Sequence, residues 1–321
     1  MLRALMAASV ALTLAVAPAQ AEEINFGIIS TESSSNLKKI WDPFLADMEK
    51  GTGLKINAFF ASDYAGVIEG MRFKKVQIAW FGNKSAMEAV DRADGEVFAQ
   101  TVAKNGSDGY FAHILVHKDS AFQKLDDVLK CDKSLDFGIG DPNSTSGFLV
   151  PTTFIFSAKN IDPKVCFKTV RNANHEANAL AVANKLVHAA TNNSENMERL
   201  EKTAPDKAKE IRIIWTSPLI PSDPLVWRKD LDAGLKKKFS DWLFAYGKTE
   251  DEKKILLELG WAPFKKSDNN QLLPIRQMEV NREIMKLKGD EKVAAAEKAT
   301  KLAELEKQFT DLDKQIASLK K

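Results

Sequence analysis

The sequence predicts an α/β protein built as two lobes, and three observations carry that expectation. Short apolar runs alternate with amphipathic runs from Ile24 to Ala93, the pattern of a largely parallel sheet covered by helices. The chain has 321 residues, more than one hydrophobic core usually serves. After a second α/β stretch, Leu225-Val226-Trp227-Arg228 reads as a strand returning to the first lobe. Two connections then define a hinge with a cleft beside it. In such sheets ligands bind beyond the carboxyl ends of the strands, where helix N-termini collect.

The chain opens with Met1-Leu2-Arg3, runs apolar through Val16, and ends the run with Ala17-Pro18-Ala19-Gln20-Ala21. A basic start, an apolar core and a small-x-small end predict a secretory leader cleaved after Ala21. The run is too short and Ala-rich for a permanent span, and no Cys stands at the cleavage point for lipid attachment. The mature protein is therefore expected to be exported. Without Arg3 there remain 45 basic residues against 44 acidic ones. That balance excludes the concentrated basic face that nucleic acid requires.

Ile24 to Ile29 predicts the first strand. Ser33-Ser34-Ser35-Asn36 caps a helix whose apolar face is Leu37, Ile40, Trp41, Phe44, Leu45 and Met48, ended by Gly51-Thr52-Gly53. Leu54 to Phe60 is the second strand, Ser62-Asp63 caps a helix at Tyr64, Val76 to Phe81 is the third strand, and Ser85 to Ala93 a helix. Tyr110 to Lys118 is a long strand followed by a helix from Ala121 to Leu129. The second lobe continues through Phe154–Lys159, strands at Thr169–Arg171, His188–Thr191 and Ile211–Trp215, and a helix at Asn178–Lys185. Helices at Leu235–Tyr246 and Asp251–Leu259 complete the first lobe. The expected division is a leader over 1–21, a first lobe over 22–119 and 223–280, a second over 120–222, and a helical tail over 281–321.

The run Gly138-Ile139-Gly140-Asp141-Pro142-Asn143-Ser144-Thr145-Ser146-Gly147-Phe148 carries the chemistry. Leu135-Asp136-Phe137 ends a strand, and Phe148 onward is apolar enough for a buried helix. Ser144, Thr145 and Ser146 add hydroxyls to free N–H groups at the positive end of a helix dipole. This is either an ordinary N-cap or an oxyanion site that needs no cationic side chain. Pro151 lies seven residues beyond Ser144, so the helix there is either short or kinked.

Cys131 and Cys166 are the two cysteines. Their spacing fits no metal site, and in an exported chain they are expected to pair. His113 and His117 share a strand face but stand roughly 13 Å apart, too far to grip one ion. No Gly-x-Ser-x-Gly elbow accompanies Ser144–Ser146. Catalysis is therefore not expected, nor any cofactor. In the tail, Leu302, Leu305, Phe309, Leu312, Ile316 and Leu319 keep heptad spacing. That stripe either folds back on its own lobe or meets a partner helix, which would make a homodimer.

Eight stretches give the sequence a resemblance to the periplasmic phosphonate-binding proteins of phosphonate ABC transporters. They are Asn25–Ser33 (NFGIISTES), Asp63–Gly66 (DYAG), Met87–Ala93 (MEAVDRA), Gly140–Pro151 (GDPNSTSGFLVP), Asn178–Lys185 (NALAVANK), Thr191–Asn193, Ser217–Pro221 (SPLIP) and Leu259–Phe264 (LGWAPF). The resemblance runs from the mature N-terminus to about Arg276; only the tail drifts.

What it implies is a type II solute-binding fold closing on its ligand, in the periplasm, with a membrane permease as partner. Ser144, Thr145 and Ser146 match the family's phosphonate cradle, joined by Tyr64 from the opposite lobe and by His175. Tyr110, Glu195 and Asp223 match the positions that hold a ligand's amino group. The implied ligands are alkyl- and aminoalkylphosphonates, 2-aminoethylphosphonate foremost, with phosphate, phosphite or methylphosphonate as the alternative. Phe81 and His188 depart from residues common in the family. Both are expected near strand ends on the cleft side, where they would shift ligand preference.

Overall fold

The computed structural model describes residues 22–319, so the leader lies outside the described residues. Thirteen strands are formed among them: β1 (Glu23–Ile28), β2 (Lys55–Phe60), β3 (Ile78–Trp80), β4 (Gly95–Ala103), β5 (Gly109–Tyr110), β6 (Ala112–His117), β7 (Asp136–Ile139), β8 (Thr169–Asn172), β9 (Ala189–Asn193), β10 (Ile211–Thr216), β11 (Ile220–Pro221), β12 (Pro224–Arg228) and β13 (Trp261–Lys266). They build a six-stranded sheet in the order β13-β4-β12-β3-β1-β2 and a five-stranded sheet in the order β10-β6-β9-β7-β8. β1 runs parallel to β2 and β3, and β7 parallel to β8 and β9. These parallel strands aim their carboxyl ends at the space between the lobes.

The returning strand is β12, inserted antiparallel between β3 and β4. One expected boundary moves. The strand at Ala112–His117 pairs with β9 and β10, so it belongs to the second sheet rather than to a first lobe reaching residue 119. Both crossings therefore fall at β5 and β11, which pair with each other (Ile220 opposite Tyr110) and form the hinge. Gly109 is needed there, because a Cβ would stand 2.0 Å from the carbonyl oxygen of Ile220.

Packing follows the apolar faces read from the sequence. The helix Ser34–Thr52 buries Leu37, Trp41, Phe44, Leu45 and Met48. Trp41 touches Phe26, Trp80 and Trp261 with ring centroids 5.4–5.5 Å apart. Each such aromatic contact is worth roughly 0.5–1.5 kcal/mol beyond its burial. The second lobe centres on Phe137, Phe156 and Phe167, with Cys166 in the same cluster. Cys131 and Cys166 are joined as a disulfide beside that cluster.

The segment around Pro151 is neither a plain short helix nor a sharp kink. Thr145–Leu149 and Thr152–Ser157 are π-helical, with Pro151 between them in ordinary helical conformation. Wide turns of this kind recur at functional sites. The tail is a hairpin of two helices, Leu273–Gly289 and Ala295–Leu319. The heptad stripe packs on its own chain: Leu312 is buried with Leu273, Val280 and Ile284, while Leu302, Leu305, Phe309 and Ile316 are half-covered. No helix among the described residues is long and apolar enough to cross a membrane.

Candidate functional site

Five helices begin at the cleft. Tyr64–Arg72 and Asn83–Arg92 come from the first lobe, and Thr145–Leu149, His175–Ala183 and Ser194–Thr203 from the second. In four of them a side chain (Asp63, Ser144, Asn174 or Asn193) caps the N–H three residues on. The first N–H groups of each helix stay unused by the helix, and the dipoles add there. One small cavity is lined by Tyr64, Tyr110, Ser144, Thr145, Ser146, His175, Glu195 and Asp223, so all eight residues named from the sequence share it.

Gly140 allows the cradle to close on its strand, since a Cβ there would meet the Gly147 backbone at 2.5 Å. Ser144 Oγ accepts from Gly147 N–H at 3.0 Å, Thr145 Oγ1 from Lys84 N–H at 2.8 Å, and Ser146 Oγ from Asn193 Nδ2 at 3.0 Å. A hydroxyl that accepts keeps its hydrogen to give, so this end of the cavity holds three donors. His175 Nε2 lies 3.4 Å from the Ser144 and Ser146 oxygens. Burial pushes the His175 imidazole down to about 3, so it is neutral at neutral pH. An anion here meets neutral donors and helix ends.

The same cavity also carries two carboxylates. Tyr110 Oη donates to Asp223 Oδ1 at 3.0 Å. Burial first, and then the charge of Glu195, hold Asp223 well above the usual carboxylate range. Burial also raises Glu195, with Arg199 opposing it. A ligand cation would stabilise both carboxylates in their charged form.

Sequence reasoning missed several residues at this cavity. Thr31, Trp80, Asn193 and Arg199 also line it. Thr31 Oγ1 and Trp80 Nε1 are buried with no protein partner, so each has a hydrogen bond to offer. Asn193 had a signal as the cap of its helix, and Arg199 stands one helical turn beyond Glu195. The two departures from the family fare differently. Phe81 directly follows the end of β3, between cavity residues Trp80 and Gly82 as expected, but its side chain is buried in the first-lobe core and does not line the cavity. His188 is half-exposed, and its Nδ1 accepts from Asp136 N–H at the starting end of β7, the end away from the cleft.

Another grouping forms only in three dimensions. His117, Asp119 and Glu210 bring three potential metal ligands within 4.8 Å of one another. Here His117 Nε2 faces Glu210 at 3.2 Å, and Lys118 and Lys185 stand on the carboxylates of Glu210 and Asp119. The acids are already neutralised by lysine, and the group lies outside the cleft cavity.

A family model described as the periplasmic substrate-binding protein of the phosphonate ABC transporter matches residues 26–272. The chain is 55% identical over 307 residues to the phosphonates-binding periplasmic protein of Escherichia coli, covering 94% of this chain and 90% of that one. It is 31% identical to the phosphate-import protein PhnD of Mycolicibacterium smegmatis, over 62% of this chain and 64% of that one. A crystal structure of a binding protein component of an ABC phosphonate transporter from Pseudomonas aeruginosa matches with a TM-score of 0.92 and 54% identity. That match covers 94% of this chain and 100% of the other.

Proposed function

Because the chain belongs to the periplasmic phosphonate-binding proteins of ABC transporters, we propose that its cleft captures aminoalkylphosphonates, 2-aminoethylphosphonate foremost. The chain is the substrate-binding component of a phosphonate importer, with the two-lobed periplasmic-binding fold. The proposal adds the ligand and the division of labour. Ser144, Thr145, Ser146, His175 and Tyr64 hold the phosphonate. Glu195, Asp223 and Tyr110 hold the ammonium.

One observation carries this reading: neutral hydroxyl donors and two carboxylates, the buried Asp223 and the part-buried Glu195, line the same small cavity. Buried charges are costly unless paired, and a ligand with an anionic head and a cationic tail pairs both ends. Contacts from both lobes coexist only when the cleft is shut, so ligand shifts the population toward closure. A membrane permease then receives the loaded protein.

Phosphate is the competing ligand, since a relative at 31% identity is named for phosphate import. It has no amine, however, and leaves Glu195 and Asp223 facing an anion unpaired. Calorimetry against 2-aminoethylphosphonate, methylphosphonate, phosphite and phosphate separates the two readings. Tightest binding of the amino ligand supports the proposal, and equal or tighter binding of phosphate overturns it.

Two further roles complete the proposal. The leader directs export and leaves after Ala21. The tail hairpin joins two copies through the half-covered face of Leu302, Leu305, Phe309 and Ile316.

A further inference from the structure

We propose that Arg199 is a positioning residue that ties amine recognition to closure, through an ion pair with Glu32 of the opposite lobe; this rests on the aminophosphonate reading above. The helix Ser194–Thr203 carries Glu195, Glu198, Arg199 and Lys202, a spacing that puts all four on one face. Its first residue of that face, Glu195, lines the cavity. The others cross to the first lobe. Arg199 Nε donates to Glu32, Lys104 pairs with Glu198 at 2.6 Å, and Lys202 with Glu258 at 3.4 Å.

The three pairs are not equivalent. The side chains of Arg199 and Glu32 are only 11% and 5% exposed, while the other pairs are 37–59% exposed. Exposed pairs contribute little and are screened by salt. A buried pair whose partner departs leaves an unpaired charge, which is strongly unfavourable. Asn196 Nδ2 adds a 3.4 Å contact to the same Glu32 oxygen. The inner pair is therefore the one that separates at a cost when the lobes part.

Arg199 also acts on the ligand through Glu195. The groups facing Glu195 are Arg199 and Glu198 of its own helix, Glu32 from the loop after β1, the Trp261 indole of β13, and Asp223 and Tyr110 from the hinge side. Among these Arg199 is the cation, and it opposes the rise that burial imposes on Glu195. Glu32 in turn takes the Nε–H of Arg199, so that the guanidinium charge is shared between Glu32 and Glu195.

Stopped-flow binding of 2-aminoethylphosphonate and methylphosphonate, across pH, tests this on the full mature chain. Glu32→Gln is expected to speed dissociation of both ligands about tenfold, with association within about threefold, because most interface changes appear in the off-rate. In the Glu32→Gln background, where no unpaired Glu32 is left behind, Arg199→Met is expected to move the acid limb of affinity for the amino ligand to higher pH relative to Glu32→Gln alone and to leave the methylphosphonate profile in place. This double variant removes both members of the inner pair together, and is expected to fold and to release methylphosphonate as fast as Glu32→Gln. Lys202→Gln serves as the exposed control and should match wild type. Unchanged off-rates in Glu32→Gln and in the double variant, or amino-ligand pH profiles identical between the two, would overturn the inference. Failure of the wild type to bind phosphonates would instead overturn the functional reading beneath it.

Discussion

The backbone N–H of Lys84 donates to Thr145 Oγ1 at 2.8 Å, from a first-lobe helix end to the middle hydroxyl of the second-lobe cradle. In the proposed binding mode this one side chain serves both closure and the anion. Tyr64 N–H to Asp141 Oδ2 at 3.2 Å and Ser33 N–H to Glu176 Oε2 at 2.7 Å close the cleft on either side of it. Thr145→Ala removes an acceptor for Lys84 and a donor for the ligand together. Expected is a loss of about ten- to a hundredfold for every phosphonate, the scale of one charge-assisted hydrogen bond. Thr145→Ser keeps the hydroxyl and should stay within a few fold, by calorimetry on both variants.

The acidic pole predicts a split between ligands. Glu195→Gln and Asp223→Asn remove charge from the side facing the ammonium while preserving shape. Each should weaken 2-aminoethylphosphonate by roughly tenfold or more and spare or improve methylphosphonate. Ser144→Ala should weaken both ligands alike. Equal losses for both ligands in all these variants would refute the division of the cavity into two poles.

His175 predicts how stability follows pH. Its value in the fold, about 3, lies below its ordinary 6.5, so the unfolded chain takes up the proton first. The neutral buried imidazole therefore contributes fully above 6.5, and that contribution falls as pH drops toward 3. One proton gives a slope of at most about 1.4 kcal/mol per pH unit. Asp223 and Glu195, raised by burial, have the opposite sign and cost stability as pH climbs out of the carboxylate range. Comparison with His175→Gln isolates the histidine. The wild-type advantage in urea midpoint should shrink between pH 6.5 and 4, and a constant difference would show that His175 is not held neutral.

What the sequence revealed was what local chemistry encodes. Ser144, Thr145 and Ser146 announce themselves because strand, turn and capping hydroxyls are neighbours in the chain. The run at Ala112–His117, apolar between His113 and His117, says buried strand but not which sheet, since pairing partners are set by tertiary contacts. Its place beside β9 and β10 had to be seen. Glu195 and Asp223 became candidates through the family resemblance, because an isolated carboxylate usually means solvent. Arg199 looks like one more surface charge of a polar helix until Glu32 is found against it. His188 misled because a strand end says nothing about which end faces the cleft.

The disulfide closes a loop between residues separated by 35 positions, which in the chain-entropy account stabilises by ~3–4 kcal/mol. Cys166 also packs in the second-lobe core with Phe137 and Phe156. Cys131→Ser, which leaves that core intact, should lower the melting temperature by several degrees while ligand affinity is retained. Thiol titration of the denatured, unreduced wild type should find no free thiol. Two thiols per chain would show that the bridge is absent from the protein as made.

The tail hairpin predicts the oligomeric state. Helix Ala295–Leu319 buries Leu312 on Leu273, Val280 and Ile284, but Leu302, Leu305, Phe309 and Ile316 are only partly covered and Leu319 is 55% exposed. One partner helix cannot cover a heptad stripe that a second hairpin would enclose as a four-helix bundle. The helix at Leu273–Gly289 is tied to the first lobe by Lys84 to Glu279 at 3.6 Å and by Arg276 to Asp91. A bundle built on it would therefore join two proteins rigidly and leave their clefts open to ligand and permease. Sedimentation at tens of micromolar should show a dimer for the mature chain. Removal of residues 290–321, which spares the first helix of the hairpin, should give a monomer that binds 2-aminoethylphosphonate as before. A mature chain that sediments as a monomer would leave the hairpin as a brace within one molecule.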